Sequence, residues 1–236
     1  MIISDIVDYY NYKIVCILYL IIVLIIFNTN ILSHIFGNNI TNTQINLFNF
    51  SILICGLVFL IIYPFVKIKL FNLSTKKNLN KKILYDPLHT IKINKNIENL
   101  LYELIPFLCI IIYIYLCVND NINAMSYFFI GISFIFIIKC ILSFSTIIPD
   151  SSQKCQVKLL NGGCNDLLCS GHFSVVFLIY LLTIKYKLVD KNINSFLLLF
   201  VILYGFVPIL TRNHYTIDIL VAIICVLLVN NYIPQK

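Results

Sequence analysis

The sequence predicts an all-α fold: a polytopic transmembrane helix bundle with a six-span core and an extra N-terminal span. Three observations carry this. Of the 236 residues, 60% are hydrophobic and only 11% are charged, far below the roughly 25% charged of an ordinary soluble domain. The mean hydropathy is +0.94, too apolar for a water-soluble sphere of this size. The apolar residues also gather into seven runs divided by polar stretches. Lipid must therefore be the solvent for most of the surface, and segments crossing it must satisfy their own backbone hydrogen bonds.

The first run covers roughly 14–33. Asp5 and Asp8 stand where a leader would be basic, and no small-residue cleavage site follows. The run therefore reads as an anchor, not a cleaved signal. Residues 1–45 form an N-terminal segment holding this span, and 46–236 form the six-span core. The core runs cover 46–66, 101–118, 126–148, 171–186, 195–211 and 215–233. Several are shorter than the ~20 residues of a full span. Their ends must be completed by polar residues that face protein.

Charge gives the topology. The net charge is +7, and eight of the 17 basic residues lie between Lys67 and Lys95. Loop 67–100, loop 149–170 and turn 212–214 are separated by pairs of spans, so all three share one face. Lys185, Lys187 and Lys191 lie on the other. The positive-inside trend puts the first face in the cytosol. With a single Arg and no recognition fold, nucleic acid is not expected as a partner.

The nine cysteines build no disulfide framework. Cys16, Cys55, Cys109, Cys117, Cys140 and Cys225 lie in apolar runs, where Cys acts as a small hydrophobe. Cys155, Cys164 and Cys169 share one loop, and a disulfide there would need an oxidising compartment. Their spacing does not supply the four ligands of a zinc site. No metal and no cofactor are expected.

Two segments carry chemistry. One runs Cys164-Asn165-Asp166-Leu167-Leu168-Cys169-Ser170-Gly171-His172 into the fifth span. The other, Arg212-Asn213-His214-Tyr215-Thr216-Ile217-Asp218, opens the seventh. Both lie on the same membrane face at predicted helix N-termini. Ionisable groups at span entrances are tolerable when they face a polar cavity. Asp218 follows His214 by four positions, which predicts that both project from one helical face. A carboxylate there can fix the imidazole tautomer and leave the other ring nitrogen free to attack. His172, behind Ser170 and Gly171, sits where exposed N–H groups and a positive helix end can hold a phosphate.

These residues resemble the sphingomyelin synthase branch of the lipid phosphate phosphatase superfamily (type 2 phosphatidic acid phosphatases). Its first motif reads Cys-Gly-Asp, three residues, Ser-Gly-His-Thr; Cys164, Asp166, Ser170, Gly171 and His172 match, with Asn165 for Gly and Phe173 for Thr. Its second reads His-Tyr-Ser/Thr-x-Asp-Val; His214, Tyr215, Thr216 and Asp218 match, with Ile219 for Val. Lys139, Thr146 and Pro149 fall at the offsets of a third motif, Lys replacing Arg. Asp86-Pro87-Leu88-His89 stands where the branch has a Pro-rich acidic segment.

The resemblance implies a head-group transferase. Its partners would be lipids, a glycerophospholipid donor and a ceramide or diacylglycerol acceptor, and a homo-oligomer is compatible with it. His214, oriented by Asp218, would be the nucleophile and His172 the acid and base. Asp166, Ser170, Gly171, Tyr215, Arg212 and Lys139 would contact substrate. The classical phosphatases differ in having an upstream Lys-x6-Arg-Pro clamp and a more distant Arg in the second motif. This chain has no Arg before Arg212. A hydrolase of the phosphatase or phospholipase C type, and a lipid-binding relic without catalysis, are the alternatives. The resemblance implies an endomembrane location (Golgi, ER or plasma membrane) and a site on the lumenal or outer leaflet, opposite to the charge count.

Overall fold

The computed structural model of the protein describes residues 12–19, 21, 40–76, 84–90, 95–118, 121–148 and 168–234. Among these, helices make up the fold and no strand is present. In chain order they are α1 (Asn42–Leu57), a π-helical turn (Val58–Ile62), α2 (Tyr63–Lys76), a 3-10 turn (Pro87–Thr90), α3 (Lys95–Val118), α4 (Ile122–Ser145), α5 (Gly171–Lys185), α6 (Lys191–Leu210) and α7 (Thr216–Tyr232). Residues 12–19 are also helical.

Four stretches are long and apolar enough to cross a membrane: Asn42–Leu70, Leu101–Val118, Ile122–Ser145 and Lys191–Leu210. Their outer faces carry large exposed apolar side chains, such as Phe50 and Leu57 on α1, Phe107 and Ile112 on α3, and Phe196 and Leu203 on α6. This is the surface lipid would solvate, and it fits a multi-pass membrane protein.

The two shorter apolar helices are α5 and α7. At 1.5 Å rise, their 15 and 17 residues span about 22 and 26 Å, less than the ~30 Å hydrocarbon core. These are the helices that the two histidine segments open. Helix α5 packs against α3, α4, α6 and α7 and is the centre of the bundle. Glycines let it sit there. A Cβ on Gly131 of α4 would lie 3.1 Å from Leu178, and one on Gly205 of α6 would lie 3.1 Å from Phe173.

Proline removes a helical donor, and side chains from elsewhere take the carbonyl it leaves. In the π turn just before Pro64, the Leu60 carbonyl accepts from the Tyr12 hydroxyl. Tyr19 likewise donates to the Ile52 carbonyl, so the N-terminal helical stretch is tied to α1 and the π turn.

At the end away from the histidine segments, Lys185 Nζ donates to the Asn230 carbonyl at 2.7 Å and to that of Ile233. An ammonium at the C-terminus of α7 satisfies carbonyls that lack helical donors and complements the dipole. Helices α5 and α6 each close with a Schellman turn whose left-handed residue is not glycine. Lys187 has φ 52° and Arg212 has φ 56°. In the second, Arg212 N–H donates to Ile209 and Asn213 N–H to Pro208.

Candidate active site

His214 does not lie on α7. It follows the Schellman turn that ends α6, and its N–H donates to the Pro208 carbonyl at 2.9 Å. Tyr215 is the N-cap of α7 and Asp218 its third residue. The four-residue spacing therefore works across a helix start, not along one helical face. Asp218 folds back over the cap. Its Oδ2 accepts from Tyr215 N–H at 2.9 Å and lies 3.1 Å from His214 Nδ1.

That geometry fixes the imidazole. A carboxylate only accepts, so Nδ1 carries a proton, and in the neutral imidazole the lone pair is on Nε2. Asp218 is wholly buried and His214 is 4% exposed. A buried carboxylate at a helix N-terminus is stabilised by the dipole and by the N–H groups it faces.

The other histidine opens α5. Ser170 is the N-cap, and its hydroxyl accepts from Phe173 N–H at 3.4 Å. Ser170 N–H donates to the Asp218 carbonyl at 3.3 Å. One backbone bond thus joins the starts of both helices. Gly171 allows the approach to α4: a Cβ there would lie 2.9 Å from the Phe136 ring. The remaining N–H groups of the first turn have no intrahelical partner.

Helix α3 supplies two residues that sequence reasoning missed. Glu103 Oε2 lies 3.3 Å from His172 Nε2. The Tyr102 ring lies 4.2 Å from that of His172 and 6.3 Å from that of His214, between centroids. One aromatic side chain is therefore in ring contact with both imidazoles. Its backbone is held by the proline device: Pro106 leaves the Tyr102 carbonyl without a helical donor, and the Tyr204 hydroxyl of α6 supplies one at 3.2 Å. The available signal was Glu103 itself, a carboxylate at the mouth of an apolar run, where charge needs a reason. Unlike the buried His214–Asp218 pair, His172 and Glu103 are 34% and 59% exposed.

The other expected contacts fall as follows. Lys139 is buried on α4, and its Nζ donates to the Cys169 carbonyl at 2.9 Å, directly before Ser170. Arg212 is exposed and donates to the His89 carbonyl at 2.6 Å. Tyr215 is buried and turned toward residues 84–90; its hydroxyl accepts from Leu84 N–H at 3.3 Å. Cys169 is a free thiol. Asp166, with Cys155, Cys164, Asn165 and Pro149, lies outside the described residues. Among the described residues no cluster of metal-ligating side chains occurs. A cleft of about 420 Å³ is lined by Leu84–Leu88 and by Tyr215–Ile217, and none of His172, Glu103 or His214 lines it.

The arrangement places two imidazoles, each with a carboxylate on one ring nitrogen, around one tyrosine at the same end of the bundle. Such a pair can attack a phosphorus and exchange a proton with the departing oxygen.

Residues 163–234 match the family model described as PAP2 superfamily C-terminal.

The match takes in α5, α6 and α7 with His172, His214 and Asp218. It supports the lipid phosphate phosphatase superfamily for this part of the chain, and phosphatase- or phosphotransferase-type lipid chemistry with it. The PAP2 match does not select a branch within that superfamily. No curated protein and no solved structure matches the chain.

Proposed function

We propose that the protein transfers the phosphorylated head group of a glycerophospholipid to the hydroxyl of a second lipid, such as ceramide or diacylglycerol. The observation that carries this reading is the buried His214–Asp218 pair, sharing Tyr102 with His172. The motifs around both histidines support the transferase branch over the classical phosphatases.

The steps follow from the two histidines. His214 Nε2 attacks phosphorus, and the bond from phosphorus to the glycerol oxygen breaks. The electron pair leaves on that oxygen, which takes a proton from the His172 imidazolium and departs as diacylglycerol. Asp218 stabilises the positive charge that forms on His214. The acceptor hydroxyl then gives its proton to the now neutral His172. Its oxygen attacks phosphorus, the phosphorus–nitrogen bond breaks, and the electron pair returns to His214. Glu103 orients His172 and balances its charge in both half-reactions. The free N–H groups opening α5 suit the phosphate oxygens, and Arg212 stands on the same face. Lys139 acts through the Cys169 carbonyl, fixing the loop before Ser170.

Hydrolysis is the second reading, in which water replaces the acceptor. The exposure of His172 and Glu103 leaves a route for it.

The test is transfer in defined liposomes. Purified protein would receive phosphatidylcholine, phosphatidylethanolamine or phosphatidylinositol, with fluorescent ceramide or diacylglycerol, beside His214→Ala. A new fluorescent phospholipid made by the wild type and absent from the mutant is the expected result. Release of phosphate or phospho-alcohol without acceptor product would move the protein to the hydrolases. No turnover of any donor would sink both enzymatic readings.

A further inference from the structure

A buried carboxylate outside the two motifs grips the turn that carries His214. Asp86 is 7% exposed and lies in the segment 84–90, whose only regular structure is the 3-10 turn Pro87–Thr90. Its Oδ2 accepts from Thr216 N–H at 2.7 Å, and its Oδ1 accepts from Leu88 N–H at 3.0 Å. Thr216 is the first residue of α7, and its N–H is one that the helix itself leaves unpaired. The helix's own N-cap residue, Tyr215, makes no side-chain capping bond to it. Asp86 thus caps α7 from 130 positions away.

The neighbours of Asp86 hold the same turn. His89 Nε2 donates to the His214 carbonyl at 3.0 Å. The rings of His89 and Tyr215 lie 5.2 Å apart. Leu84 N–H donates to the Tyr215 hydroxyl, and Arg212 returns a bond to the His89 carbonyl. Residues 212, 214, 215 and 216 are each bonded to the 84–90 segment, which straps this turn. What the bonds constrain is the backbone from which the His214 imidazole projects.

We propose that Asp86 is a positioning residue for His214: by capping α7 from the 84–90 strap it fixes the turn that presents the imidazole to Asp218. The kinetic consequence rests on the transfer reading above, but the geometric one does not. The experiment therefore reads both.

Full-length protein in detergent micelles is treated with diethyl pyrocarbonate, and carbethoxylation of each histidine is followed by mass spectrometry. Wild type, Asp86→Ala, Asp86→Asn and Thr216→Pro are compared. Proline suits the first position of a helix and deletes both Thr216 groups that bond Asp86, the N–H and the hydroxyl. Losing the cap is expected to speed labelling of the buried His214 about tenfold, the local opening that one lost hydrogen bond allows. Labelling of His172 stays at the wild-type rate. In the transfer assay, kcat falls and KM holds, and Asp86→Asn, which keeps a carbonyl acceptor, recovers most of the loss. Unchanged His214 labelling in Asp86→Ala overturns the proposal. So does a parallel rise at His172 and His214, which would mean general loosening. If Asp86→Ala does not fold, Thr216→Pro decides by the same criterion. A wild type without turnover whose His214 labelling still responds to Asp86 would refute the transferase and leave the positioning role standing.

Discussion

The Glu103 carboxylate of α3 stands 3.3 Å from His172 Nε2 on α5, joining residues 69 positions apart. The contact gives the more exposed histidine a carboxylate partner from a different helix, whereas His214 takes its partner from four positions on. If Glu103 orients His172, Glu103→Gln lowers kcat about tenfold, part of the ~10²–10⁴-fold that a positioned acid and base supplies. His172→Ala costs the whole of that factor. Steady-state transfer in liposomes measures both. Wild-type kcat in Glu103→Gln would remove the carboxylate from the mechanism.

Asp218 offers a sharper loss. Its Oδ2 accepts from both Tyr215 N–H and His214 Nδ1. An amide in its place can present an N–H to the ring and reverse the tautomer. Asp218→Asn is expected to lower kcat by about 10⁴, as when the corresponding carboxylate of a Ser-His-Asp triad is changed. Single-turnover kinetics should place the loss in the first half-reaction. A drop under about tenfold would show that the tautomer is set elsewhere.

Packing at the start of α5 is tight enough to read by stability. Gly171→Ala sets a Cβ 2.9 Å from the Phe136 ring, an overpacking that typically costs about 1–3 kcal/mol. Thermal unfolding in detergent should show the drop, and Phe136→Leu in the same chain should recover much of it. No recovery in the double variant would place the cost elsewhere.

The two left-handed residues separate backbone strain from side-chain use. A non-glycine residue there costs about 1–2 kcal/mol. Lys187→Gly, on the face away from the histidines, is expected to raise Tm and leave transfer unchanged. Arg212→Gly relieves the same strain but deletes the guanidinium that bonds the His89 carbonyl; it should lose activity even where it gains stability. Equal activity in both variants would show that Arg212 has no part in the site.

Acid should loosen the strap. Burial pushes the Asp86 carboxyl up, but the Thr216 and Leu88 N–H groups and the nearby His89 outweigh it and hold it below the ordinary range. A carboxyl depressed in the folded state contributes stability above its unfolded value and loses it as pH falls through the folded one. The window therefore opens near about pH 4, the ordinary value for Asp, and extends downward. Tm should fall with pH across it, and Asp86→Asn should flatten part of that fall. An unaltered slope in the variant would contradict this assignment.

The sequence made the bundle legible because apolar runs mark the helices wherever lipid is the solvent. The run at 101–118 corresponds to the apolar part of α3, and those at 171–186 and 215–233 nearly coincide with α5 and α7. His172, His214 and Asp218 were legible for a related reason: charge at the mouth of an apolar run stands out. What stayed hidden was tertiary. Nothing local says that Tyr102 meets both imidazoles, or that Tyr204 holds the carbonyl Pro106 leaves open. The spacing of His214 and Asp218 suggested one helical face, yet the chain brings them together across the cap of α7. Lys139 stood out by its offset, but its ammonium bonds the Cys169 carbonyl, a contact no spacing encodes.

Transfer by this site requires His214 to carry the head group between the two lipids. The most direct measurement is single-turnover trapping with a donor whose phosphate is radiolabelled. Protein quenched under alkaline conditions, where a phosphoramidate survives, would be mapped by peptide. The expected result is acid-labile label on the peptide containing His214 in the wild type, discharged by acceptor lipid and absent from His214→Ala. Labelled product formed by His214→Ala at the wild-type rate would contradict it.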